Sequence, residues 1–183
     1  MALDAARRIV RERGIESLTA RRVADAIGYT PGTIYQHFRN MDALAEAMNA
    51  ETLMALFQSC PEPRSELTVE ARLMALAEAF IAFAGRHPEE WRAVIAFPYG
   101  PAHLWSDVYD AAVGDLIRLL LDATSDLYGR DAKALQEQEV RALWAGFFGL
   151  FVLDSHGRLG CGVTLAEQTR TLISFYLAKR SGP

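Results

Sequence analysis

Cysteine is scarce: Cys60 and Cys161 are the only two among 183 residues. A disulfide framework is thereby excluded, and so low a thiol content suits a reducing compartment, so the chain is expected to be cytoplasmic. Long apolar runs are missing as well. The longest stretch without a polar side chain, Ala142 to Leu153, has twelve residues, short of the roughly 20 that a bilayer-spanning helix needs. It reads as a core helix, with no membrane partner. The amino terminus, MALDAARRIV, alternates apolar and arginine-bearing positions, without the apolar stretch or small-residue cleavage site of an export signal.

Reactive patterns are missing too. His37, His87, His103 and His156 never fall at i, i+4, and no CxxC or HExxH occurs, so neither a metal nor another cofactor is expected. Asp154-Ser155-His156 has the letters of a hydrolytic triad, but neighbours on a helix point in different directions. Gly157, Gly160 and Gly162 follow a helix, not a strand, which argues against a phosphate loop. An enzyme is not expected.

What is present is the composition of an ordinary globular chain, 51% hydrophobic and 23% charged, long enough to bury a real core. The net charge of −4 conceals a split. Residues 1–44 hold seven arginines against five acids, whereas 45–183 hold twelve bases against eighteen acids. A small anion-facing module on a larger acidic body fits that asymmetry.

β-Branched residues are scattered, and apolar positions recur at spacings of three and four, so the fold class is all-α. A first helix over about Ala2 to Arg13 sets Leu3, Ala6, Ile9 and Val10 opposite Arg7, Arg8 and Arg11, then stops at Gly14. Thr19 caps a second helix, with Val23, Ala24 and Ile27 inward, that closes at Gly28. Thr30-Pro31 combines a capping hydroxyl with proline at the first helical position, opening a short third helix through His37 or Phe38. Asn40 caps a fourth, about Met41 to Gln58, with Leu44, Met48, Thr52 and Leu56 along one stripe. The segment CPEP (60–63) interrupts the chain.

Beyond it, Ser65 is expected to cap a helix of about twenty residues. His87-Pro88 opens a short helix carrying Trp91, Val94 and Ile95, and FPYGP (97–101) is a turn. Long helices follow over about Ala102 to Leu127 and Lys133 to Ser155. A final amphipathic helix carries Leu165, Thr169, Leu172, Ile173 and Tyr176.

The second and third helices, joined at Gly28-Tyr29, form a helix-turn-helix. Thr30, Pro31, Gly32, Thr33, Tyr35, Gln36 and His37 offer small surfaces and hydrogen-bonding tips, while Ile34 and Phe38 are core residues. Seven residues span roughly 10 Å, a length that fits the major groove. Gly32 costs about 1 kcal/mol relative to alanine within a helix, which makes sense if another backbone comes close. On composition alone, a simple turn with polar side chains facing water fits equally well.

The stretch LTARRVADAIGYTPGTIYQHFRNMDALAEAM (18–48) resembles the amino-terminal module of the TetR family of bacterial transcription regulators. The resemblance covers about the first 48 residues, including the Gly-Thr-Ile-Tyr-x-His-Phe core and the DALAEAM continuation. It implies that Thr19 and Arg21 approach DNA phosphates or base edges, that Thr30, Gly32, Thr33 and Gln36 face the groove floor, and that Pro31 belongs to the same DNA-binding surface. Tyr35 and His37 would reach the phosphate backbone. Hydroxyls and helix N-termini hold phosphates, Gln pairs with adenine and Arg with guanine. Met41 stands where the family often has lysine, so Arg39 or Asn40 would supply that phosphate contact.

The helix containing ALWAGFFGLFVL is apolar all round and must be covered on two sides. Either the cover is wholly intramolecular, or one side belongs to a second copy of the chain. The resemblance implies the second: a homodimer through a four-helix bundle of the last two helices, about 133–155 and 164–179, with Gly146 and Gly149 allowing close approach. Two reading helices related by a twofold axis would then address a palindromic operator in double-stranded DNA.

All three Trp (91, 105, 144) and many other aromatics lie within 80–157. Aromatics at helical spacing serve readily as plain core, yet together they suggest a ligand box. The segments FAGRHPEEWRAVIAF and LWAGFFGLFVLDSHGRLG are similar to a TetR subgroup marked by a Trp-His-Gly signature, with Phe148 where histidine is typical. The expectation is a small apolar or aromatic effector among Trp91, Phe97, Tyr109, Trp144 and Phe148.

The sequence therefore reads as a helix-turn-helix DNA-binding domain (1–45) followed by a helical ligand-binding and dimerisation domain (46–183). Together they would make a repressor released from its operator by a ligand. The alternative is an all-helical small-molecule-binding protein or enzyme with a vestigial helix-turn-helix.

Overall fold

A computed structural model describes residues 1–97, 106–160 and 162–179. Helices are α1 (Ala2–Arg13), α2 (Ala20–Ile27), α3 (Pro31–His37), α4 (Met41–Ser59), α5 (Val69–Arg86), α6 (Pro88–Ala96), α7 (Asp107–Thr124), α8 (Lys133–Ser155) and α9 (Leu165–Ala178). Among the described residues there is no strand. The all-α expectation holds. No described helix is long and apolar enough to cross a membrane, and no three described His, Cys, Asp or Glu side chains converge to hold a metal.

The chain divides into two compact units, one of Met1–Gln58 with Ala84–Val113, the other of Ser59–Phe83 with Gly114–Pro183. In the first unit, Ala5, Ala6, Ile9 and Val10 of α1 meet Val23 and Ala24 of α2, Ile34 of α3, Leu44 and Met48 of α4, and Ala93 of α6. Local chemistry sets the helix ends. Gly14 (φ 77°) closes α1, and the Thr19 hydroxyl accepts from Arg22 N at 3.3 Å to open α2. Gly28 (φ 76°, ψ 29°) ends α2 in the left-handed region that glycine occupies most cheaply. Asn40 Oδ1 accepts from Ala43 N at 2.8 Å and caps α4 as expected.

Three local expectations need correction. The Thr30 hydroxyl makes no capping bond to the backbone of α3; it lies 3.4 Å from the Thr33 hydroxyl instead. The cap of α5 is Thr68, whose Oγ1 accepts from Ala71 N at 3.2 Å, and the helix begins at Val69, not beside Ser65. A turn with Leu67 N bonded to Arg64 O at 3.2 Å occupies the intervening residues. α7 is described from Asp107; most of the expected FPYGP turn and the start of the helix expected from Ala102 lie outside the described residues.

In the second unit, α8 covers Lys133–Ser155, the range its periodicity predicts. A polar chain ties α8 to α9. The Tyr128 hydroxyl donates to Glu139 Oε2 at 2.7 Å and sits 2.7 Å from the Tyr176 hydroxyl, while Lys179 Nζ donates to Glu139 Oε1 at 2.9 Å. Burial first, then these partners, push the Tyr128 phenol well above the usual tyrosine range. α9 opens on a full capping box, Thr164 with Glu167. Gly146 is committed inside the chain: a Cβ there would stand 3.0 Å from Leu172 Cδ2. Gly149 faces nothing within 4 Å.

Candidate nucleic-acid interface

α3 is anchored by one fully buried side chain, Ile34, at 1% exposure, with half-buried Phe38 packed against the same cluster. Everything else on the helix turns outward. Thr30, Pro31, Gly32, Tyr35, Gln36 and His37 are exposed and Thr33 is half-buried. The helix therefore offers hydroxyl, amide, phenol and imidazole tips around its exposed side. Such a set can donate to phosphates and pair with base edges.

Gly32 has an ordinary backbone conformation and does not belong to the positive-φ glycines. A Cβ built there would meet only Thr30 Oγ1, at 3.8 Å. Nothing among the described residues requires glycine at this position.

At the start of α2, Thr19 and Arg21 are exposed, with Arg21 Nε 3.9 Å from Asp25 Oδ2. The hydroxyl of Thr19 is already an acceptor for Arg22 N, leaving its own proton to donate. The arginines of this region differ in availability. Arg7 pairs with Glu51 and Arg11 with Glu90, and Arg22 Nη1 donates to Ser17 O at 3.1 Å. Arg8, Arg13 and Arg39 are exposed and make no ion pair with the described residues. Met41 packs half-buried against the core of this unit, which explains an apolar residue there. Asn40 spends its carbonyl on the cap, so Arg39 carries the cation nearest the end of α3.

Tyr29 escapes the sequence reading. It is 54% exposed directly after left-handed Gly28. With Met1, Leu3, Ile27, His37 and Phe38 it borders an open apolar hollow of about 400 Å³ beside α3. A bulky aromatic in a turn where small polar residues are usual was the available signal.

The five residues expected around an effector are distributed over both units. In the first unit, Trp91, Phe97 and Tyr109 are buried, and the Phe97 and Tyr109 rings lie 5.9 Å apart, tilted by 34°. Burial, followed by the charges of Glu46 and Asp110, raises the Tyr109 phenol to about 12. In the second unit, half-buried Trp144 stands edge-on to Phe80 at 6.2 Å and lies 6.4 Å from Phe148. Each set is an aromatic cluster of the kind that also serves as plain core.

Comparison with known proteins agrees with this architecture. The model of bacterial regulatory proteins of the tetR family matches residues 2–48, and that of the tetracyclin repressor-like C-terminal domain matches 73–176. The chain belongs to the TetR family. An HTH-type transcriptional repressor of Mycobacterium tuberculosis is 47% identical over 49 residues, 27% of this chain and 26% of that protein. An uncharacterized HTH-type transcriptional regulator of Bacillus subtilis is 22% identical over 95 residues, 52% of this chain and 50% of that protein. The alignments thus span half or less of these curated relatives. Among solved structures, a TetR transcriptional regulator from Rhodococcus sp. RHA1 superposes with a TM-score of 0.75 at 17% identity, covering 96% of this chain and 93% of that one. BioQ with its natural double-stranded DNA operator superposes with a TM-score of 0.69 at 19% identity, covering 100% and 96%. At such identities the likeness is one of fold.

Proposed function

We propose that this protein is a cytoplasmic, homodimeric DNA-binding repressor whose α3 enters the major groove of a palindromic operator and which a small apolar or aromatic molecule releases. One observation carries the reading: α3 buries Ile34 and turns Thr30, Gly32, Tyr35, Gln36 and His37 outward. Thr19, Arg21, Tyr35 and His37 serve the phosphates, joined by Arg39 and Tyr29, and Gln36 with Thr30 and Thr33 reads base edges. Functionally the DNA-binding part is 1–45, and 46–183 senses and dimerises, in the manner of the Trp-His-Gly subgroup.

Dimerisation through α8 and α9 is supported by apolar side chains that the chain leaves uncovered. Phe175 is 70% exposed, Leu135 45% and Leu153 44%, and Ala142 and Ala145 are exposed on α8. Gly149, with open space before it, suits close approach by a partner helix. A ligand acts by binding the DNA-incompetent arrangement of the two reading helices more tightly than the competent one, and a coupling of about 1–3 kcal/mol is usual for such a device. Sequencing the genomic fragments retained by purified protein tests the reading. A shared inverted repeat is expected; fragments with no common sequence would overturn it.

A further inference from the structure

α4 carries buried polar side chains on the part that follows the DNA-binding head. Glu46 is 6% exposed and Asn49 is fully buried, one turn apart and so on the same face. Glu46 Oε1 accepts from Ser106 N, just ahead of α7. No lysine, arginine or histidine pairs with it among the described residues. The charge is met on one oxygen by a backbone amide and the positive end of α7.

Asn49 Nδ2 donates to Ala93 O of α6 at 3.1 Å. That bond fixes the amide orientation, because turning it over would set two carbonyl-type oxygens against each other. Asn49 Oδ1 is then left buried without a hydrogen-bond partner. Buried acceptors without donors are uncommon and each calls for a physical reason. Here an unmatched acceptor and a buried carboxylate lie on one helix face, opposite α6 and the start of α7. Those are the elements that bring Phe97 and Tyr109 together at 5.9 Å, and the Glu46 charge acts on Tyr109 itself.

A buried carboxylate with no cation paired to it among the described residues, an unmatched amide oxygen and an aromatic pair select one ligand chemistry. A protonated amine donates to several acceptors at once, neutralises a carboxylate and is attracted to aromatic faces. We propose that the effector site in this unit takes an organic amine, its ammonium group held by Glu46 and Asn49 Oδ1 and its apolar body set against Phe97 and Tyr109. The inference rests on the effector reading above and narrows it from apolar molecules in general to amine-bearing ones.

The test is calorimetric titration of the intact protein with three size-matched probes: 1-naphthylmethylamine, 1-naphthylmethanol and 1-naphthylacetate. Wild type is expected to bind the amine at least about tenfold more tightly than the alcohol, the range of a charge-assisted hydrogen bond, and the acetate most weakly. Glu46→Gln should bring amine and alcohol within about twofold of each other, and Asn49→Leu should lower the amine preference in part. That amine-to-alcohol ratio is a quantity that a merely structural bond between α4 and α7 would not set. Alcohol or acetate binding as well as the amine overturns this proposal and leaves the effector reading standing. No binding by any probe overturns both at this site. An undiminished amine preference in Glu46→Gln overturns the assignment to Glu46. Should Glu46→Gln fail to fold, the wild-type series and Asn49→Leu decide.

Discussion

Arg11 of α1 donates its Nε hydrogen to Glu90 Oε1 of α6 at 2.8 Å, across 79 positions of sequence. Glu90 is 4% exposed, whereas the Arg11 side chain is 59% exposed, so a largely solvated guanidinium covers a buried carboxylate. His87 Nδ1 stands 3.8 Å from the same oxygen. The bond fastens α6 to the first helix of the DNA-binding head. Arg11→Ala leaves that carboxylate buried and short of a donor, and water replaces part of the loss because the site opens on one side. A destabilisation of about 1–3 kcal/mol is expected in urea unfolding of the intact chain. An unchanged midpoint would contradict this role for the pair.

Gly32 separates stability from function. Since none of the described residues crowds its missing side chain, Gly32→Ala should raise stability by up to about 1 kcal/mol through helix propensity. The same change should weaken operator binding, because the added methyl faces the groove. Thermal unfolding and a gel-shift titration on one preparation check both halves. Unchanged operator affinity would show that nothing approaches α3 closely at this point.

Phe175, at 70% exposure on α9, is the aromatic side chain that the proposed α8–α9 interface would bury. Phe175→Glu should raise the dimer dissociation constant by more than about 30-fold, as loss of an aromatic anchor of about 2 kcal/mol does. Light scattering across a dilution series reads it. A dimer as tight as wild type would move the interface elsewhere.

Glu167 gives a pH dependence with a defined sign. Its carboxylate accepts from Thr164 N at 2.8 Å and Thr164 Oγ1 at 2.9 Å, and these bonds, the backbone one first, hold it below the ordinary 4.5. A depressed folded value means that the stabilisation of the α9 start is present above about pH 4.5 and is lost as pH falls through the lowered value. Amide exchange at the first turn of α9 should accelerate on that acid side, and Glu167→Gln should abolish the change. Exchange that is insensitive to pH in the same range, after correction for intrinsic rates, would refute the capping role.

Much of this was legible in the residues because it is local. Gly14, Thr19, Gly28 and Asn40 set helix ends through bonds that reach three or four positions along the chain, and the period of α8 is written in its own side chains. The start of α5 was not legible. Ser65 and Thr68 are both good caps, and only the turn between Arg64 and Leu67 decides between them. The polar face of α4 was hidden for a different reason. Leu44, Met48, Thr52 and Leu56 marked one buried stripe, but α6 and the start of α7 come from over 40 positions further on and bury Glu46 and Asn49 as well. No periodicity within α4 announces a second cover.

Base reading by the exposed side of α3 shows in single-base-pair variants of the recovered operator. Wild type and Gln36→Ala are titrated against each variant at one fixed salt concentration. Gln36→Ala is expected to lose about 1–3 kcal/mol of discrimination at one base pair, repeated symmetrically in the two half-sites, and to keep the rest of the profile. A discrimination profile identical to wild type at every position would contradict it.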